Sequence, residues 1–164
     1  MVNLVEKLKT QYDYILIDCP AGIEQGFRNA IAAATTAVVV TTPEVSAIRD
    51  ADRIIGLLEK DGMASIYLLV NKLRPDLVKK GDMMSSEDVS EILDSEIIGC
   101  INDDVNVVIA TNRGEALVDQ NRSTGKSLTH IAEKLTGEKI CMDKDERRFS
   151  LLFFRNLFSR GEIK

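Results

Sequence analysis

Apolar residues fall along this chain in short continuous runs, separated by longer stretches where they recur every three or four positions. The runs are Tyr14–Ile17, Ala37–Thr41, Ile66–Val70 and Ile97–Ile101. Runs of this length and make-up predict strands covered on both faces. The helical stretches begin with Val2–Thr10, where Leu4, Val5 and Leu8 share a face, and the alanine-rich Glu24–Ala34. Pro43–Lys60 follows, starting at Pro43 or Ser46, with Val45, Ile48, Ile54, Ile55 and Leu58 as its apolar positions. Ser85 or Ser86 caps a helix through Leu93, with Glu87 and Asp88 in the first turn, where the helix dipole favours them. Asn71–Met84 reads as a long loop. A loop with short helical pieces leads to a last helix, Thr124–Leu135, ended by Gly137.

Strands alternating with helices predict an α/β fold, a doubly wound and mostly parallel sheet. The opening helix has no preceding element to pack on, so the domain reads as incomplete at its N-terminal side. An apolar sheet edge and poor solubility are the expected consequence.

Composition narrows this picture. At 164 residues, with 45% hydrophobic and 29% charged positions, the chain suits one soluble globular domain with a real core. A net charge of -5 argues against general nucleic-acid binding through a basic surface. Cys19, Cys100 and Cys141 lack metal-ligand spacing and suit a reducing cytosol. No apolar stretch is long enough to span a bilayer, and the N-terminus lacks the layout of a signal peptide.

Candidate chemistry centres on Asp18, which closes the first apolar run just before a Pro/Gly turn. Open α/β sheets place ligand chemistry at the carboxyl ends of their strands. On its own Asp18 reads equally as a cap for the turn or as a magnesium ligand. Pro20 and Gly22 favour the ligand: proline fixes one φ angle, and glycine lets a backbone N–H approach a phosphate oxygen. A glycine-rich loop with its lysine should precede such a strand, and the sequence holds none before it. Thr124-Gly125-Lys126-Ser127 is no displaced copy, because position 120 is Gln rather than Gly and no buried strand precedes it. His130, the single histidine, has no partner pattern for acid–base or nucleophilic work.

Four of the five phenylalanines lie in the last sixteen residues. On a helix over 149–160, an apolar side carries Phe149, Leu151, Leu152, Phe153, Phe154, Leu157 and Phe158. Arg148, Arg155 and Ser159 gather opposite. Phenyl rings at the headgroup boundary and Arg155 at anionic lipid would make an interfacial membrane helix. A terminal helix packed on the domain is the competing reading, and the polar linker 138–148, which detaches the segment from domain 1–137, favours the membrane.

Asp18–Glu24 (DCPAGIE), Thr41–Leu58, Asn71–Leu93 and Asn112-Arg113-Gly114-Glu115 together resemble the MinD family, the septum-site-determining ATPases of the ParA/MinD group of P-loop proteins. The likeness covers nearly the whole chain. It implies a P-loop-type fold and an ATP- and Mg2+-dependent switch that dimerises with itself, sits on the inner face of the cell membrane and selects the division site with MinC- and MinE-like regulators. By resemblance, Asp18 reaches the magnesium through water, Pro20, Ala21 and Gly22 form the phosphate-sensing switch, and Asn71 and Lys72 lie near the adenine. Asp50 and Asp52 fall on the dimer and partner surface, although by pattern alone they read as a solvated helix face. The segment with Phe149, Leu152, Phe153, Phe154, Arg155, Leu157 and Phe158 stands where the family carries a membrane-targeting helix. Two departures stand out: the family's phosphate-binding loop with its lysines lies upstream of Met1, and Asn102 replaces a usual proline. The isolated chain is therefore expected neither to bind ATP tightly nor to hydrolyse it. Competing functions are another ParA-like ATPase, such as a flagellar-number regulator or a plasmid partition motor, and a non-catalytic partner- and membrane-binding module.

Overall fold

The structure, a computed structural model, describes residues 1–19, 25–120 and 123–137. Pro20, Ala21, Gly22 and the whole phenylalanine-rich segment lie outside the described residues. The chain divides into two compact units, Met1–Ile131 and Ala132–Lys164.

Helices α1 (Val2–Leu8) and α2 (Gln25–Ile31) precede strand β1 (Thr36–Thr41). Then come α3 (Val45–Lys60), β2 (Ser65–Leu73), α4 (Pro75–Lys80), α5 (Ser86–Leu93) and β3 (Ile97–Asn102). Helix α6 (Val105–Arg113), a 3-10 turn (Leu117–Gln120) and α7 (Ser123–Thr136) complete the order. The strands form one parallel sheet in the order β1-β2-β3. Thr36 to Thr41 lie opposite Ser65 to Val70, and Val70 and Leu73 lie opposite Cys100 and Asn102. Parallel neighbours need long crossovers, and α3 and the α4–α5 pair supply them.

Both faces of the sheet are covered at β2 and β3, whereas β1 is covered only on the face that carries Val39 and Thr41. On one face Ile48, Ala51, Ile55 and Leu58 of α3 and Val89 and Leu93 of α5 pack with Val39, Leu68 and Val70. On the other, Ile131 of α7 packs with Leu69, Ile98 and Ile101. Leu68 and Val70 are fully buried, so β2 is the centre of the core. Helix α7 comes close to β3 because Gly99 has no side chain: a Cβ there would collide with the Cγ1 of Ile131 and lie 2.9 Å from its Cδ1.

Local signals set the helix ends. Ser85 caps α5 by accepting from the Asp88 N–H at 3.1 Å, while the Asp88 carboxylate accepts from the Ser85 N–H at 2.8 Å. Hydrogen bonding from Ser85, its backbone N–H first and its side chain second, holds the Asp88 carboxyl below the usual carboxylate range. Gly114 and Gly137 end their helices in the left-handed conformation.

Three expectations need correction. Tyr14–Ile17 is not a strand: residues 14–19 form no ladder among the described residues, and Leu16 is 94% exposed. An apolar run becomes a strand only where a neighbour supplies its hydrogen bonds, and here none is aligned with it. Asn71–Met84 is not wholly a loop, since β2 runs on to Leu73 and α4 follows. The signal for α4 was there to read, with Pro75 in the first turn, Asp76 beside it, Lys79 and Lys80 in the last turn and Gly81 as the left-handed stop. Of the stretch Glu24–Ala34, whose first residue lies outside the described ones, Gln25–Ile31 is helical and residues 32–34 are not. Along its outer edge β1 has no ladder partner among the described residues, and Val38 and Val40 on it are exposed.

Replacing Gly99 with valine should destabilise the fold by about 1–3 kcal/mol, because Ile131 must give way under an overpacked contact. Chemical denaturation measures this, and an unchanged midpoint would show that α7 does not need the bare backbone.

Candidate functional site

The carboxyl ends of three parallel strands meet on one side of the sheet, where doubly wound folds hold their ligands. Strand β1 ends at the buried Thr41, whose hydroxyl donates to the Thr42 carbonyl at 3.3 Å. Pro43 follows, and the Glu44 N–H returns to the Thr42 carbonyl at 2.8 Å. Strand β2 loses its regular register between Val70 and Leu73. Within that irregularity the Lys72 N–H donates to the Asn71 Oδ1 at 2.9 Å, and Lys72 takes a left-handed φ of 56°. A lysine held there is strained, and such strain gathers where a backbone must present groups to a ligand.

The end of β3 is stapled to the end of β2. The Asp103 N–H donates to the Leu73 carbonyl at 2.9 Å. The next residue, Asp104, caps α6 through Oδ1, which accepts from the Asn106 N–H at 2.9 Å and its side-chain Nδ2 at 2.6 Å. Asp104 Oδ2 accepts from the hydroxyl of Thr124 at 2.7 Å. The strand ends 41–43, 71–73 and 102–104 thus lie along the carboxyl edge of the sheet as its rim, the last two tied by the Asp103–Leu73 bond.

The residues singled out from sequence distribute unevenly over this frame. Asn71, half-buried, and Lys72, exposed, lie on the rim. Asp18 is exposed on the unpaired segment 14–19, so the sheet itself does not bring it to them. Beside it, desolvation first and the Asp18 charge second raise the thiol pKa of Cys19, which favours the neutral thiol. Asp50 and Asp52 are exposed on α3. At about 100° per residue they flank the solvent face, with Arg49 and Arg53 between them and Ala51 turned to the core. Asp104 and Thr124 are the rim residues that sequence reasoning missed. A Ser/Thr/Asp-type cap before α6 could have revealed Asp104, whereas nothing local pairs it with Thr124.

Among the described residues no group of three or more His, Cys, Asp or Glu could hold a metal ion. Nor is any helix among them long and apolar enough to cross a membrane.

A parallel sheet with helices packed on both faces and polar residues gathered at its carboxyl ends defines the doubly wound α/β class. Comparison with known proteins narrows the class. A family model described as cellulose biosynthesis protein BcsQ matches residues 1–87. The chain is 57% identical over 142 residues to a putative septum site-determining protein MinD of Guillardia theta. It is 51% identical over 142 residues to septum site-determining protein MinD of Synechocystis. Each match covers 85% of this chain and 53% of the relative, so the chain spans about half the length of these curated relatives. Among solved structures it resembles the MinD cell division protein of Aquifex aeolicus, with a TM-score of 0.80 and 44% identity, covering 87% of this chain and 62% of that one. A MinC:MinD cell division protein complex from the same organism matches with the same TM-score and identity, over 87% of this chain and 60% of that one. MinD complexed with Mg-ADP from Pyrococcus horikoshii gives a TM-score of 0.72 at 25% identity, over 81% of this chain and 54% of that one. The chain belongs to the ParA/MinD group of P-loop proteins and, within it, to the MinD family.

The strain at Lys72 can be tested directly. Lys72→Gly should leave stability unchanged or raise it by up to about 1 kcal/mol, since glycine adopts a positive φ freely. Lys72→Val should lower it by about 1–2 kcal/mol, because a β-branched side chain tolerates that conformation worst. Equal denaturation midpoints for the two variants would remove strain from the account of this turn.

Proposed function

We propose that this chain forms the switch, base-side and membrane-contacting portion of a MinD-type protein, an ATP-dependent dimerising switch that selects the cell-division site. The observation that supports it most is identity of 51–57% to septum site-determining proteins across 85% of the chain. The rim at the carboxyl ends, with Asn71 and the strained Lys72 on it, adds independent physical weight.

The side chains fit a magnesium nucleotide. Asn71 Oδ1 accepts from the Lys72 N–H, and its Nδ2 would donate to an adenine acceptor. The exposed carboxylate of Asp18 suits contact with a hydrated cation through water. With no acidic cluster among the described residues, the metal would draw its remaining ligands from water and phosphate, as magnesium commonly does. When bound, Mg-ATP supplies the cleavable phosphate bond and the charge that the switch senses. Pro20, Ala21 and Gly22 would follow the terminal phosphate, Lys72 would flank the base, and Asp18 would hold the metal. The Mg-ADP and MinC complexes of family neighbours favour the same cofactor and a MinC-like partner. That partner, a MinE-like regulator and the second copy would approach the α3 surface bearing Asp50 and Asp52. Residues 149–160, through Phe149, Leu152, Phe153, Phe154, Arg155, Leu157 and Phe158, would lie in an anionic membrane surface. One such helix binds weakly and two bind by avidity, so dimerisation would govern membrane residence.

Two outcomes test this reading. Because this sequence contains no glycine-rich loop with its lysine, the purified chain should release no phosphate from Mg-ATP above background. Measurable turnover would overturn that part. In a flotation assay with anionic vesicles, the chain should float and a version ending at Lys144 should stay at the bottom; identical flotation would refute the anchor.

A further inference from the structure

Helix α6 turns apolar side chains to water on the side opposite its packing contacts. At about 100° per residue, Val105, Val108, Ile109 and Asn112 share one face, and Val107 and Ala110 lie on the other. Ala110 is buried and Val107 half-buried, so theirs is the face packed on the domain. On the first face Val105 is 70% exposed, Val108 60% and Ile109 39%. The exposed positions of α3 and α5 are mostly charged instead: Arg49, Asp50, Asp52 and Arg53 on one, Glu87, Asp88 and Glu91 on the other. A helix that is apolar on both sides has the pattern of one enclosed on both sides. The two ends of α6 carry opposite charge. Asp103 stands just before the Asp104 cap, and Arg113 closes the last turn. Both side chains are exposed, and neither forms an ion pair among the described residues. At 1.5 Å per residue the two stand about 15 Å apart.

We propose that this face is a self-association surface, covered by α6 of a second copy packed antiparallel about a two-fold axis. Charge complementarity selects both the occupant and the direction. With the axis beside Val108 and Ile109, Asp103 of each copy meets Arg113 of the other, and Val105 meets Asn112. Parallel packing would set like charges side by side. The helix dipoles also oppose each other only in the antiparallel pair. The contact is isologous, so it closes at two copies. Three apolar side chains per copy fall short of the roughly 800 Å² per partner of a standard interface, so the pair is weak and reversible. The surface lies on a different helix from Asp50 and Asp52 and needs no nucleotide.

The test is sedimentation equilibrium of the full chain without nucleotide, with backbone amide NMR spectra recorded over the same concentration series. The parent should pass reversibly from monomer to dimer, and the shifts that follow concentration should gather on residues 103–113. Val108→Asp puts a charge in the seam at an exposed position and should weaken the dimer at least about tenfold without unfolding the chain. Arg113→Glu should weaken it about threefold or more, and adding Asp103→Arg to that variant should restore it, because the swapped pairs attract again. A parent that stays monomeric up to millimolar concentration overturns the proposal. So does a dimer whose shifts avoid α6, or a double variant no tighter than Arg113→Glu alone. Shifts on α6 that ignore protein concentration and appear only with phosphatidylglycerol vesicles would assign the face to lipid and overturn it too. No arm contains nucleotide, so failure here is separate from failure of the ATP-dependent reading.

Discussion

Strand β2 is the constraint on which the rest of this unit depends. It is hydrogen-bonded on both sides, to β1 and β3, and its Leu68 and Val70 are removed entirely from water. Burial of two such side chains contributes roughly 3–6 kcal/mol, a large share of the stability of a small domain. A strand held this firmly can afford a disordered register at its end. The ladder breaks between Val70 and Leu73, and Lys72 is driven into a conformation that a lysine would otherwise leave.

The rim is built outward from that break. Leu73 accepts the Asp103 N–H, Asp104 caps α6 and accepts from Thr124, and α7 packs back onto β3 through Ile131 and the bare backbone of Gly99. Each link joins a local stabilising role to the placement of a polar turn. Core packing and the placement of the polar strand ends are thus one network. The Thr-Gly pair of the Thr124-Gly125-Lys126-Ser127 stretch has a structural explanation here: a buried hydroxyl on Asp104 and a close approach to Leu117.

Family membership gives these observations their biological direction. Relatives carry the name septum site-determining protein, and this chain spans about half of their length. The outer edge of β1 and the unpaired segment 14–19 are where the sheet is least satisfied among the described residues. Val38, Val40 and Leu16 are the exposed apolar residues there.

By itself the sequence determined the features that depend on near neighbours. Continuous apolar runs gave three of the strands, because a strand buried on both faces has no polar side to display. The Ser85 cap and the glycine stop at Gly137 were legible because capping is a matter of a few adjacent residues, and α4 carried the same kind of signal at Pro75 and Gly81. The motifs Asp18–Glu24 and Asn71–Lys72 were visible as residue types that follow apolar runs. Only the tertiary structure decided whether Tyr14–Ile17 was a strand, since that depends on a neighbouring edge rather than on the run itself. It alone placed Lys72 in the left-handed region and joined Asp104 to Thr124, because both depend on contacts between segments that sequence spacing leaves free to meet or not.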